Sequence, residues 1–188
     1  MAGQQVVQGG LTRTPMSFEE WLELPEKPKS EWVDGIAAVS TVSPTYDHGF
    51  AQAALSATLR AALPGLRVVS EVPVRTARTR VRLPDVMALE RRPGGAIVED
   101  TPVLAVEILS PSTRSEDTVR KSAEYAAAGI GQFWIVDPEL RTLEVFANRD
   151  GRWETVLVLD EASRTGAVTV GEHGSVGLDL AQILDLDG

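Results

Sequence analysis

One carboxylate interrupts an apolar stretch that otherwise has the pattern of a buried β-strand. Glu107 lies inside residues 102–109, whose other members are apolar or proline, so the strand is expected to be buried on both faces. A carboxylate in that position needs a partner, because desolvating an unpaired charge costs several kcal/mol or raises its pKa strongly. The chain must therefore fold so that a positive charge reaches Glu107.

A second carboxylate and a lysine accompany this strand. Asp85 follows a proline in another β-like stretch, residues 81–90, and Lys121 lies on the helix expected after the Glu107 strand. Two carboxylates on adjacent strands are best stabilised by a divalent cation. The three residues suggest metal-dependent phosphodiester chemistry, in which Asp85, Glu107 and a strand carbonyl near Ile108 bind Mg²⁺, with Mn²⁺ as a substitute.

Each of the three residues also has a structural explanation. Asp85 could simply end a turn, since Pro-Asp pairs often do so, and Glu107 could be held by a salt bridge to Arg82 or Lys121. Lys121 could form an exposed ion pair with Asp117, a contact that is worth only about 0.3–0.5 kcal/mol. In the catalytic alternative, its ammonium group orients the attacking water and offsets the charge on the phosphate.

Three further polar residues have auxiliary roles in this interpretation. Glu31 could contact the metal through a water molecule, and His48 could cap a helix or contact phosphate. Glu71 lies on the strand before an arginine-rich strip and is a third candidate for an auxiliary role. Each of the three could equally be structural.

The arginine-rich strip precedes Asp85 and is predicted to bind DNA phosphates. A local basic strip can contact phosphate although the chain as a whole is acidic. The alternative is a solvated hairpin whose arginines serve solubility. The strip consists of Arg75, Arg78, Arg80 and Arg82.

Composition narrows the kind of site and the location of the protein. The chain has no cysteine and two histidines among 188 residues, which excludes thiolate zinc sites and favours oxygen ligands. The net charge of −9 argues against loose electrostatic attachment to DNA.

No apolar run approaches the roughly 20 residues that span a bilayer, and residues 1–14 lack signal-peptide features, so we expect a cytoplasmic protein with no membrane contact.

Capping boxes, turn residues and periodicity predict a mixed α/β fold. A flexible segment is expected over residues 1–15, and residues 16–188 are expected to form one domain. Capping boxes at Ser17 and Glu20 and at Thr113 and Glu116 start two of the helices, and Asp150-Gly151 turns a hairpin. The predicted elements are helix 18–24, two strands within 31–43, helix 48–63, an antiparallel meander of strands 67–76, 81–90 and 102–109, a helix ending at residue 128, strand 132–136, a hairpin within residues 143–159 and a small helix at 179–184.

The order of these motifs resembles the Uma2 family of predicted endonucleases, which belongs to the PD-(D/E)XK superfamily. The resemblance covers nearly the whole chain. It rests on Pro84-Asp85, on Glu107 within residues 106–113, on Lys121 within 121–125, on Gly129 and residues 133–138, and upstream on residues 17–25, residues 31–35, Ser43-Pro44 and His48.

The resemblance implies a restriction-endonuclease-like core of helix, three-stranded antiparallel meander, helix and strand, here with an added C-terminal hairpin. It also implies a DNA endonuclease that uses Asp85, Glu107 and Lys121 to hydrolyse a phosphodiester and leave a 5′-phosphate. A homodimer is plausible by analogy, because members of the superfamily often pair subunits to cut both strands.

The chain departs from the family pattern at three positions. Leu109 occupies the position of the third catalytic motif residue, which is usually a lysine. The resemblance therefore assigns the role of that lysine to Lys121. Ile36 and Gln132 replace residues that are usually acidic, although neither is a presumed metal ligand. Two alternatives therefore stay open: an inactive nucleic-acid- or protein-binding module that keeps the fold, and an enzyme that hydrolyses a smaller phosphodiester.

Overall fold

The computed structural model describes residues 6–8, 10–40, 42–110 and 120–186, which form three sheets and four helices. The elements in chain order are β1 (Val6–Gln8), β2 (Leu11–Pro15), α1 (Phe18–Leu22), β3 (Ser30–Val33), β4 (Ile36–Ser40), α2 (Tyr46–Ala62), β5 (Arg67–Ser70), β6 (Val74–Ala77), β7 (Arg80–Arg82), β8 (Val86–Leu89), β9 (Leu104–Ile108), α3 (Ser122–Ala127), β10 (Gln132–Asp137), β11 (Thr142–Arg149), β12 (Arg152–Leu159), β13 (Thr165–Val170), β14 (Gly174–Asp179) and α4 (Leu180–Leu184).

The second of the three sheets contains the predicted core. Its strand order is β12-β11-β10-β9-β8-β5, and β5, β8 and β9 form the expected antiparallel meander. Strand β10 then pairs parallel to β9, and the connection between them contains α3. The first sheet has the order β1-β2-β4-β3-β7-β6, and β13 pairs with β14 in a separate hairpin. The prediction of an α+β fold with mixed sheets is confirmed.

The central strand β9 is covered on both faces, which explains its almost continuous apolar sequence. All five of its residues are buried. Leu104, Val106 and Ile108 pack in the cluster that contains the apolar residues of α2. Ala105 packs on the opposite face with Tyr125 of α3. Because side chains alternate along a strand, Glu107 points toward the α3 face.

Two predicted strands of the meander are each divided in two. The chain leaves the second sheet after Ser70, passes through β6 and β7 in the first sheet, and returns at Val86. Glu71 has a left-handed φ of 56°, which ends β5, and Pro84 separates β7 from β8. The predicted strands 67–76 and 81–90 are therefore wrong as continuous strands.

Both ends of the chain contain strands that sequence patterning did not predict. Residues 11–15 form β2 and pair antiparallel with β4, so the expectation of loose structure through residue 15 is wrong for them. The hairpin of β13 and β14 was also not predicted, because its glycines weaken the strand pattern. The capping box at Thr113 and Glu116 lies outside the described residues.

Other predicted elements agree closely with the structure. Ser17 accepts a hydrogen bond from the N–H of Glu20, whose carboxylate accepts one from the N–H of Ser17, so the first capping box is present. The 143–159 hairpin turns at Asp150 and Gly151, both of which have positive φ. Within the part of the chain described, no helix is long and apolar enough to cross a membrane.

Candidate active site

A cleft of about 890 Å³ brings together the polar residues singled out in the sequence. Its walls come from β2, β3, β4 and β7 of the first sheet, from β9 of the second, and from the start of α2. The predicted site residues that line it are Glu31, His48, Glu71, Arg82, Asp85, Glu107, Ile108 and Lys121. Residues that are distant in sequence thus meet in one place.

Asp85 is fixed beside the Glu107 strand by contacts to both of its carboxylate oxygens. Oδ2 accepts a hydrogen bond of 2.7 Å from the N–H of Ile108, and Oδ1 lies 3.2 Å from Nε2 of His48. Burial disfavours the charged imidazole, but the hydrogen bond and negative charge of Asp85 outweigh that effect and raise the pKa of His48. Asp85 is therefore an oriented carboxylate rather than a mobile turn residue.

Glu107 is buried and accepts hydrogen bonds from Tyr125 and Lys121. Tyr125 donates its phenol O–H to Oε1 at 2.6 Å, and Lys121 donates from Nζ to Oε2 at 3.0 Å. Burial and the neighbouring charge of Glu107 raise the pKa of Tyr125 well above its ordinary value, so the phenol stays a donor. The charge of Glu107 is thus compensated inside the protein.

Lys121 is a buried bridge between two carboxylates. It directly precedes α3, is only 6% exposed, and places Nζ 3.0 Å from Oε1 of Glu31 as well as 3.0 Å from Oε2 of Glu107. The alternative in which Lys121 is exposed is wrong, because its side chain is buried and lines the cleft. Asp117, the partner in that alternative, lies outside the described residues.

A second buried cation extends this network toward α3. Arg82 is 2% exposed and donates to Glu31 Oε2 at 2.8 Å and to Glu124 Oε1 at 2.6 Å. Burial alone would raise the pKa of Glu31, but the charges of Lys121 and Arg82 dominate and lower it to about 2. Glu31 is therefore an ionised link between the two basic side chains.

The predicted auxiliary residue Glu71 lies in the same cleft but makes different contacts. It pairs with Lys29 and accepts a hydrogen bond of 3.1 Å from Nε2 of Gln52. Gln52 also donates to the main-chain carbonyl of Asp85 at 2.9 Å. Glu71 thus helps to position the segment that carries Asp85.

The arginine strip is largely occupied by internal ion pairs. Arg75 pairs with Glu99 at 2.9 Å, and Arg80 pairs with Asp34 at 2.8 Å. Arg78 is exposed. The prediction that Arg82 contacts DNA needs correction, because its burial leaves almost no surface for a phosphate.

Sequence reasoning missed three of the residues that build the site. Gln52 follows His48 by one helical turn, and Tyr125 follows Lys121 by one turn, so helical spacing could have indicated both. Glu124 follows Lys121 by three residues and so has the same helical spacing, but its pairing with the distant Arg82 could not be inferred from that spacing. Leu109 packs in the apolar cluster around Tyr125. This agrees with the expectation that Leu109 cannot replace the lysine that usually forms the third catalytic motif residue.

The donor atoms fit a hard divalent cation that keeps part of its water shell. Among the described residues, no group of three or more His, Cys, Asp or Glu side chains could hold a metal ion. Asp85 and Glu107 nevertheless both line the cleft beside Ile108, and carboxylates are the ligand type that Mg²⁺ prefers. Two carboxylates, a carbonyl and water are ligands that suit Mg²⁺.

Comparisons with known proteins identify the family and a solved structure with the same fold. The model of the Uma2 family, described as "Putative restriction endonuclease", matches residues 17–181. A crystal structure of a "putative nuclease belonging to DUF820" from Anabaena variabilis ATCC 29413 shares the fold, with a TM-score of 0.74 and 22% identity over 91% of this chain and 98% of that chain. No curated protein matches the chain significantly.

Proposed function

The chain belongs to the Uma2 family of restriction-endonuclease-like nucleases, and from this we propose that it is a metal-dependent DNA endonuclease. Asp85, Glu107 and the carbonyl of Ile108 would hold Mg²⁺ or Mn²⁺, and Lys121 would act beside them. The substrate is DNA, and the bond that is hydrolysed is a phosphodiester.

One observation supports this proposal above the others. Asp85, Glu107 and Lys121 come from three separate segments, yet all three line one cleft. Lys121 contacts Glu107 directly, and Asp85 contacts the residue that follows Glu107. A purely structural ion pair of Lys121 and Glu107 would not require the adjacent, cleft-facing Asp85.

In this proposal each side chain has a task. A bound divalent cation would polarise the phosphate and lower the pKa of a water molecule. Lys121 places a positive charge where the phosphate gains negative charge during attack by that water. His48 and the N–H of Ile108 orient Asp85, while Tyr125 orients Glu107. Preorganised contacts of this kind avoid reorganisation during the reaction.

Cleavage of supercoiled plasmid with excess Mg²⁺ and with EDTA tests the proposal. We expect cleavage by the native protein only with Mg²⁺, and at least a 10²-fold loss of rate in Asp85→Asn and Glu107→Gln. Glu172→Gln is the matched control, because it removes an exposed carboxylate outside the cleft.

The test also separates the nuclease from an inactive binding module. A folded native protein that binds DNA but does not cleave it in Mg²⁺ or Mn²⁺ would contradict the proposal and support the binding module. Cleavage in EDTA at the same rate would contradict the metal dependence.

A further inference from the structure

We propose that Arg82 and Glu124 are positioning residues that fix Lys121 beside Glu107 and thereby set the rate of cleavage. This inference rests on the proposed nuclease function and deepens it, because it names residues that act through Lys121 rather than on the substrate. It also gives a role at the same site to Arg82, which is too buried to contact DNA.

The first step concerns the charged end of Lys121. Its Nζ lies 3.0 Å from Oε1 of Glu31 and 3.0 Å from Oε2 of Glu107, so the ammonium group is shared by two carboxylates. Glu31 is itself held in place, because its Oε2 accepts a hydrogen bond of 2.8 Å from Nη1 of Arg82 and its Oε1 accepts one of 3.1 Å from the N–H of Leu83. The position of the ammonium group therefore depends on Arg82 through Glu31.

The second step concerns the backbone end of Lys121. This residue directly precedes α3, and its side chain does not cap the helix. Glu124 lies on the first turn of α3, and its carboxylate accepts hydrogen bonds of 2.7 Å from Nε and 2.6 Å from Nη2 of Arg82. A bidentate pair of this kind fixes geometry as well as charge, so it ties the first turn of α3 to β7. Arg82 thus also fixes the backbone from which Lys121 extends.

The third step concerns the environment of the pair. Both side chains are mostly buried, with 2% of Arg82 and 10% of Glu124 exposed. Solvent and salt screen such a pair much less than a surface pair, so its geometry is firmly held. Because Arg82 contacts both Glu31 and Glu124, a single guanidinium group links the two ends of Lys121. A pair that only stabilised the fold would not need to contact the carboxylate that holds the ammonium group.

A double-variant comparison with Lys121 tests this role. Single-turnover plasmid cleavage by excess protein in Mg²⁺ is measured for the native protein, Glu124→Gln, Lys121→Met and the variant that carries both substitutions. Glu124→Gln should lower the maximal rate by about 10–100-fold and leave the half-saturating protein concentration unchanged. In the Lys121→Met background, the same substitution should lower the rate no further, because the group that it positions is absent.

Two further measurements separate positioning from a general loss of structure. Calorimetry should show native Mn²⁺ affinity in Glu124→Gln, because Asp85 and Glu107 are intact, and melting temperatures verify folding. If Glu124→Gln does not fold, Glu124→Asp keeps the charge but shortens the side chain. That variant should show a smaller loss of rate, which should also disappear in the Lys121→Met background.

The matched control is Glu154→Gln. Glu154 also pairs with an arginine, since Nε of Arg149 lies 3.0 Å from its Oε2, but this pair is exposed and outside the cleft. The substitution removes the same charge and the same kind of ion pair as Glu124→Gln. Glu154→Gln should therefore cleave at the native rate.

The outcomes separate the positioning role from the nuclease function. A native rate in Glu124→Gln would overturn the positioning role and leave the nuclease function intact. Equal losses of rate from Glu124→Gln in the native and Lys121→Met backgrounds would also overturn it, because the effect would then not depend on Lys121. A native rate in Lys121→Met would overturn it as well, since no group would need positioning. A native protein that does not cleave DNA would overturn both.

Discussion

At the scale of single residues, the contacts of Glu107 are consistent with two interpretations that the sequence presented as alternatives. It forms a buried ion pair with Lys121 and accepts a hydrogen bond from Tyr125. It also lines the cleft together with Asp85. A structural ion pair and a metal-binding role are therefore compatible, because the same contacts that stabilise the carboxylate also orient it.

The phenol of Tyr125 should stabilise the fold through Glu107. Tyr125→Phe removes a hydrogen bond of 2.6 Å to a buried carboxylate, which should lower the free energy of unfolding by about 1.5–3 kcal/mol. Tyr46→Phe is the control, since its hydrogen bond to Asp185 is exposed and should contribute less than about 0.5 kcal/mol. Denaturant unfolding measures both variants, and equal effects would contradict this assignment.

Glu31 should make stability depend on pH in the acidic range. Its folded-state pKa of about 2 lies below the ordinary value of 4.5, so its contribution is present above pH 4.5 and is lost as the pH falls toward 2. That shift corresponds to about 3 kcal/mol. Glu31→Gln should therefore be destabilised at pH 7, and its deficit relative to the native protein should shrink on acidification.

Unfolding by urea at several pH values measures this deficit. Glu172→Gln, an exposed carboxylate outside the network, should unfold like the native protein at each pH. A deficit of Glu31→Gln that stays constant from pH 7 to pH 2 would show that the ionised carboxylate is not the source of the stability.

At the scale of elements, α2 does more than cover the sheet. Its apolar face packs on the second sheet through Ala51, Leu55 and Leu59. Its first turns carry His48 and Gln52, which contact the carboxylate and the carbonyl of Asp85. The apolar periodicity predicted this helix. The contacts of His48 and Gln52 with Asp85 depend on the tertiary position of the segment before β8, so the sequence of the helix alone could not predict them.

The parallel pairing of β9 and β10 should depend on the absence of a side chain at Gly131. A Cβ there would lie 2.7 Å from the carbonyl oxygen of Val103, which also accepts the N–H of Gln132. Gly131→Ala should therefore destabilise the fold by roughly 1–3 kcal/mol. Gly49→Ala, at an exposed position on α2 with open space around it, should instead stabilise by about 0.5–1 kcal/mol. Thermal unfolding compares the two, and a neutral Gly131→Ala would contradict the close approach.

At the scale of the whole molecule, local patterns predicted most elements but not their distribution between sheets. The apolar strands, the capping box at Ser17 and the turn at Asp150-Gly151 are signals carried by neighbouring residues. The passage of the chain from one sheet to the other at Glu71 and Pro84 depends on long-range packing. For that reason the sequence predicted the core but not the first sheet.

The same distinction applies to the site. Glu107 stands out in the sequence because it is a carboxylate within an apolar strand. Asp85 and Lys121 stand out because their order relative to Glu107 matches the family's motif. The ion pairs of Arg75 and Arg80 could not be predicted, because Glu99 and Asp34 are distant from them in sequence. The net charge of the chain therefore does not indicate which arginines are ion-paired in the fold.

The most direct test of the central claim, that Asp85 and Glu107 share a divalent cation, is a calorimetric titration with Mn²⁺ near neutral pH. The native protein and Glu172→Gln should bind the metal, because neither lacks a carboxylate of the cleft. Asp85→Asn and Glu107→Gln, with folding verified by melting temperature, should each lose that binding. Unchanged Mn²⁺ affinity in both cleft variants would contradict the account.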